Sequence, residues 1–115
     1  NPLVSIAPIL SVPGIRDALR KRRENVIAIS GIINGKALKG PADRLLNELG
    51  YEASATAVAE IYKDIIGTFV IDDLDKSESK RIQELGLRCI ITDTVMTDNA
   101  KAAGLCGTIF SKITG

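Results

Sequence analysis

The sequence predicts an α/β fold, a parallel sheet with helices on both faces, and three observations carry that expectation. Residues 26–29, 68–71 and 87–92 are short apolar runs of strand length, rich in Ile, Val and Thr. Between them lie stretches whose apolar residues recur at helical spacing. Glycine, proline or a capping residue punctuates the junctions. Strands alternating with helices imply crossover connections, hence parallel pairing. In such sheets ligands bind outside the carboxyl ends of the strands.

In chain order, Leu3, Val4, Ser5, Ile6 and Ala7 read as a short strand stopped by Pro8. Pro13-Gly14 marks a turn or helix start, and residues 15–23 read as a helix. Ile15, Ala18 and Leu19 form its apolar face, while Arg16, Arg20 and Arg23 share a charged stripe. The basic run from Arg20 to Arg23 reads as a solvated face that complements the negative end of the helix dipole. The strand at 26–29 is apolar throughout, which predicts cover on both sides. Gly40-Pro41 opens a helix whose Ala42, Leu45, Leu46 and Leu49 face inward, and Gly50 stops it. Ser54 is placed to cap the next helix, with Val58, Ile61, Tyr62 and Ile65 as its buried stripe. After the 68–71 strand, Asp75 with Glu78 fits a capping box for a helix over 76–85. A last helix starts near Asp98, with Cys106, Ile109, Phe110 and Ile113 turned inward.

Composition narrows the function classes. A chain of 115 residues, 45% apolar and 25% charged, suits a single globular domain with one real core. A net charge of +1 gives no general pull toward nucleic acid or membrane. No apolar run reaches the length of a membrane span and nothing resembles a signal peptide. Histidine is absent, which removes histidine-based acid–base chemistry and histidine-ligated metals. Cys89 and Cys106, in an apolar strand and an apolar helix stripe, read as reduced, buried thiols of a cytoplasmic protein rather than as a metal site or disulfide. The chain opens on Asn1-Pro2 rather than Met and reads as a piece of a longer protein.

The stretch most suited to chemistry is the loop from Ser30 to Pro41, between the 26–29 strand and the following helix. Gly31, Gly35 and Gly40 let the backbone bend closely around a ligand, Lys36 and Lys39 bring positive charge, and a helix start follows. Those ingredients suit phosphate or another anion, although the spacing is neither the Walker pattern nor G-x-G-x-x-G. An ordinary strand-to-helix connection with solvated lysines is the other reading. At the remaining strand ends, Asp72, Asp73 and Asp75 read as turn and capping residues. Asp93 is open between a turn role and a ligand for a hard cation such as magnesium.

Several segments resemble the 2-phospho-L-lactate transferase family in one collinear order. They are Asn1-Pro2-Leu3-Val4-Ser5-Ile6-Ala7-Pro8-Ile9-Leu10, Val12-Pro13-Gly14-Ile15-Arg16, Gly35-Lys36-Ala37-Leu38-Lys39-Gly40-Pro41-Ala42-Asp43-Arg44, Phe69-Val70-Ile71-Asp72 and Ile91-Thr92-Asp93-Thr94-Val95-Met96. The resemblance implies a Rossmann-like α/β fold, a fragment of a larger enzyme, and a role in making the deazaflavin coenzyme F-420. It implies transfer of a phospholactyl group from lactyl-diphospho-guanosine to the deazaflavin Fo, with GMP released, magnesium required and a homodimer formed. Lys36, Lys39 and the loop residues Ser30, Gly31, Asn34, Gly35 and Gly40 are then phosphate or nucleotide contacts. Asn1, Ser5 and Ser11 could add hydrogen bonds, and Asp93 is a minor metal candidate.

The chain departs from the family in lacking the glycine-rich loop and acidic residues of the family's N-terminal part. It resembles the C-terminal portion, so it is not expected to catalyse the transfer by itself. Ser30-Gly31-Ile32-Ile33-Asn34-Gly35 stands where many members are similar to Ser-Pro-Ile-Val-Gly-Gly, and Asn34 tolerates the left-handed backbone that such a loop needs. Two other classes stay open. One is a nucleotide-sugar-binding regulatory module of the same superfamily, and the other a structural or dimerisation portion with no chemistry of its own.

Overall fold

The computed structural model describes residues 6–37, 40–95 and 99–114. In order, α1 (Ala7–Leu10) and α2 (Ile15–Lys21) precede strand β1 (Ile27–Ile29). Two short strands follow, β2 (Ile32–Ile33) and β3 (Lys36–Ala37), then α3 (Ala42–Glu48) and α4 (Ala55–Tyr62). Strand β4 (Thr68–Asp72), helix α5 (Ser79–Glu84), strand β5 (Arg88–Thr92) and helix α6 (Asn99–Thr114) complete the fold. The three longer strands form one parallel sheet in the order β1-β4-β5.

Every residue of β4 is buried, as a central strand covered on both sides requires. Side chains alternate across it with the strand period. Phe69 and Ile71 join the larger core with Leu46, Val58, Tyr62 and Ile82 from α3, α4 and α5. Val70 points the other way and packs with Ile90 of β5 against Leu105 and Ile109 of α6. Helices therefore cover both faces, and the Rossmann-like α/β expectation holds.

Several local expectations hold as well. Ser54 caps α4, its Oγ accepting from the Ala57 N–H at 3.1 Å, because a hydroxyl there satisfies an otherwise unpaired amide. Val58, Tyr62 and Ile65 are buried, as their spacing predicts.

The corrections trace to tertiary packing. Of the strand expected over residues 3–7, residues 3–5 lie outside the described residues, and Ile6 and Ala7 enter a helix instead: Pro8 lies in the first turn of α1, where its missing N–H costs nothing. Strand β1 is an edge, so Ile27 and Ile29 are exposed despite an apolar sequence that predicts double cover. Leu49, expected inside, is exposed past the end of α3. The inward line of α6 runs through Leu105, Ile109 and Ile113, and Cys106 and Phe110 fall outside it. Phe110 is 70% exposed, which rules it out of the core.

The charged stripe of α2 is more than a solvated face. Arg16 grips Asp64 with two hydrogen bonds at 3.2 and 2.9 Å, and Arg20 adds a third at 3.0 Å, fastening α2 to the chain just after α4. The turn beyond α2 sits directly on the foot of β4. A Cβ added at Gly67 would lie 2.7 Å from the Arg23 carbonyl oxygen and 2.9 Å from the Glu24 Cα, so only glycine fits without a shift.

The cysteines differ from each other. Cys106 is exposed, contrary to the buried reading, while Cys89 is half-buried and burial pushes its thiol pKa up against an opposing hydrogen bond with Ser79. Access favours Cys106, and burial disfavours the reactive thiolate at Cys89. A maleimide at neutral pH should label Cys106 about tenfold or more faster than Cys89. Peptide mapping after a short pulse checks this, and equal labelling would contradict the burial difference.

Candidate functional site

The site builds outward from the carboxyl ends of the parallel strands. β1 is followed at once by Ser30, whose N–H donates to the Val70 carbonyl at 2.8 Å and continues the sheet pairing. The Ser30 hydroxyl is buried and turned inward, donating to the Ile32 carbonyl at 2.9 Å and accepting from the Ile32 N–H at 3.1 Å. Ser30 thus shapes the loop from within. Gly31 is exposed beside it.

The loop then forms an antiparallel hairpin that the sequence reading missed, Ile32 pairing with Ala37 and Ile33 with Lys36. Its two-residue turn is Asn34-Gly35, with φ of 51° and 81°. Both angles are positive, as a primed hairpin turn requires, and Asn-Gly between apolar residues is its strongest short-range signal. The signal stood in the sequence. Ile32 and Ile33 are both buried and anchor the hairpin, while Asn34, Gly35 and Lys36 are exposed at its tip.

Acidic residues at the end of β4 and in the turn that follows it hold this arrangement. Asp75 accepts from the Asn34 N–H at 3.0 Å through Oδ1. Asp72, the last residue of β4, accepts through Oδ1 from the Thr94 N–H at 2.9 Å and hydroxyl at 3.0 Å, and through Oδ2 from the Leu74 N–H at 3.0 Å. Glu78 accepts from the Thr56 N–H at 3.1 Å and hydroxyl at 2.7 Å, at the start of α4. The turn-and-cap reading of Asp72 and Asp75 is right in kind, but the capping box is not. Residues Asp73–Glu78 form a 3-10 helix capped by Asp72, and Asp75 and Glu78 reach across to other elements.

The electrostatics separate these carboxyls. Burial works to raise the Asp72 pKa, but the Thr94 and Leu74 hydrogen bonds outweigh it and hold the group below the usual carboxylate value. For Asp75 burial wins: with Glu78 and Asp72 adding repulsion, its pKa is raised although the Asn34 N–H opposes the shift. Its Oδ2 is buried with no hydrogen-bond partner.

Of the residues named from sequence, Asn34, Gly35 and Lys36 lie in the hairpin, and Ser30 and Gly31 lead directly into it from β1. Gly40 lines a cavity of about 510 Å³ with Pro41, Asp43 and Arg44 where α3 begins. Ser11 stands apart, its hydroxyl donating to the Pro8 carbonyl at 2.6 Å at the end of α1. Asn1, Ser5 and Lys39 lie outside the described residues. Asp93 is exposed and accepts from the Val95 N–H at 3.0 Å, which makes it a turn residue. Among the described residues no three of His, Cys, Asp or Glu converge to hold a metal ion.

A raised carboxylate pKa means that the folded state prefers the proton, so ionisation of Asp75 subtracts stability as pH climbs from the ordinary carboxylate value through the raised one. Asp75→Asn keeps an oxygen for the Asn34 N–H and removes the charge. Its urea midpoint should match the parent near pH 4 and exceed it at pH 8, as followed by circular dichroism. A parent midpoint equal to or above the variant's at pH 8 would show that Asp75 carries its charge at no cost.

The family model described as 2-phospho-L-lactate transferase CofD matches residues 1–106. The 2-phospho-L-lactate transferase of Methanosarcina barkeri is 40% identical over 105 residues, covering 91% of this chain and 33% of the relative. That of Methanocaldococcus jannaschii is 40% identical over 96 residues, covering 84% of this chain and 29% of its own length. The phosphoenolpyruvate transferase of Mycolicibacterium smegmatis is also 40% identical over 105 residues, at 91% and 32% coverage. The chain spans about a third of the curated relatives it matches. With the match running through both the hairpin and the parallel sheet, this chain belongs to the 2-phospho-L-lactate transferase CofD family.

Proposed function

We propose that this chain supplies the donor-binding part of an enzyme that moves a phospholactyl group from lactyl-diphospho-guanosine to the deazaflavin Fo. The observation that carries the reading is the hairpin at the carboxyl end of β1, which holds Lys36 beside its exposed Asn34-Gly35 turn in a chain matched by the family over residues 1–106. In the reaction a hydroxyl oxygen of Fo bonds to the lactyl-bearing phosphorus, the bond to the GMP oxygen breaks, and the hydroxyl proton leaves to solvent. Such a transfer needs positioning and neutralisation of phosphate charge more than covalent work by the protein. Lys36 offers a charge-assisted contact to the diphosphate, with Lys39 as its partner in the reading. The carboxylates of Asp72 and Asp75 keep the surrounding loops in place.

Magnesium, which the family resemblance implies, has no set of ligands among the described residues, and no step here depends on it. No helix among them is long and apolar enough to cross a membrane. A cytoplasmic homodimer goes with the reading. A second donor is favoured by a specific observation: the Mycolicibacterium smegmatis relative named phosphoenolpyruvate transferase is 40% identical over 105 residues, as is the Methanosarcina barkeri one. An enolpyruvyl donor would bind through the same diphosphate contacts.

The test is a chimaera in which this chain replaces the matching third of the Methanosarcina barkeri relative. Supplied with Fo, magnesium and either donor, it should release GMP, whereas the 115-residue chain alone should release none. A folded chimaera silent with both donors would overturn the reading.

Lys36→Met keeps the aliphatic stem and removes the charge. The lost contact is typically worth about 1.5–3 kcal/mol, so guanine-nucleotide binding by the chimaera should weaken about ten- to a hundredfold. Lys80→Met, an exposed change on α5, should leave it unaltered. Unchanged titration curves for Lys36→Met would reduce the hairpin to a connection.

A further inference from the structure

At the opposite end of the sheet, the amino ends of β4 and β5 border an open groove of about 540 Å³. Lys21, Arg22, Arg23 and Arg88 line it, with Glu24 the single acid among the described residues there. We infer that this groove binds a small, multiply charged phosphate anion of the pyrophosphate class.

The cations converge because the backbone makes them. The Asn25 N–H donates to the Arg22 carbonyl at 2.8 Å and the Val26 N–H to the Arg23 carbonyl at 3.1 Å, closing the turn that carries both arginines. The Gly67 N–H donates to the Val26 carbonyl at 3.0 Å, and the Arg88 N–H to the Gly67 carbonyl at 2.9 Å. With the 2.7 Å approach that only a glycine at 67 permits, turn, strand foot and Arg88 form one bonded unit. A prebuilt site loses little freedom when a ligand arrives.

Internal partners leave much of this charge uncompensated. Arg20, at the rim, is held by Asp17 and Asp64, and the Arg23 Nε donates to the Ile66 carbonyl at 3.0 Å. Lys21, Arg22 and Arg88 make no ion pair among the described residues. Complementing the dipole of α2 accounts for Lys21 in its last turn, but not for Arg88 on a different strand. Gathering like charges is unfavourable, and an anion between them reverses the sign of the interaction.

The lining selects the ligand. Among the described residues no aromatic side chain lines the groove and Ile113 is its one bulky apolar contact, so they offer no platform for a stacked base. A net charge of +1 does not favour a long nucleic acid either. Guanidinium forks match phosphate oxygens in geometry.

The experiment is a pyrophosphate titration of the 115-residue chain at low salt, following the backbone amide resonances of Gly67 and Gly86 beside the groove, with Gly35 reporting on the hairpin. Both glycine signals should shift saturably. In an Arg22→Gln, Arg88→Gln double variant, confirmed as folded by circular dichroism, the midpoint should move at least about tenfold higher. Lys36→Met should leave the groove midpoint where it is, which keeps this result separate from that of the hairpin. Equal midpoints for pyrophosphate and GDP support the diphosphate group itself as what is recognised. A tighter GDP midpoint supports a nucleotide as the source of that group. Absence of saturable shifts at Gly67 and Gly86, an unmoved midpoint in the double variant, or a single-stranded RNA that saturates the groove at lower phosphate concentration than pyrophosphate would overturn the inference.

Discussion

Burying a carboxylate at the end of a central strand is costly unless its oxygens are met by donors. Asp72 is buried to 5% exposure and meets that cost with three hydrogen bonds, two from Thr94 and one from Leu74. Those donors sit on different connections, the chain leaving β5 and the turn leaving β4. One side chain therefore fixes how two of the three strands end. Asp75 extends the arrangement to the third by holding the hairpin that follows β1 through the Asn34 N–H. The site at the carboxyl ends of the sheet depends on these two carboxylates, neither of which needs to touch a ligand.

The same logic gives the sheet two electrically different ends. At the carboxyl end Asp72 and Asp75 are buried and accept from loop amides and the Thr94 hydroxyl, while Lys36 stands outward on the hairpin. At the amino end the bonded turn after α2 brings arginines beside Arg88, with Glu24 the one acid among the described lining residues. Parallel strands make this possible, since all their carboxyl ends lie on one side and all their amino ends on the other.

The edge strand shows how packing sets exposure. Ile27 and Ile29 alternate with Ala28, and only Ala28 reaches the larger core. On the other face α6 covers Val70 and Ile90 but not β1. Apolar side chains at 40% and 37% exposure therefore remain beside Cys106 and Phe110.

Local signals were enough for much of this molecule. The three parallel strands, the Ser54 cap, the buried face of α4 and the end of α5 before Gly86 follow from apolar periodicity and from residues whose backbone chemistry is decided within a few positions. Even the hairpin was written in Asn34-Gly35, because two successive positive φ angles suit few other pairs. The candidate loop was likewise legible, as glycines and lysines placed after a strand. What the sequence could not decide were relations between distant segments: which strand becomes the edge, which face of α6 turns inward, and whether Asp75 caps its own helix or reaches Asn34. A carboxylate near a helix start has several donors within local reach. Only the packed structure excludes water and leaves one of them as its partner, and for the same reason Arg22 and Arg88, far apart in the chain, meet in one groove.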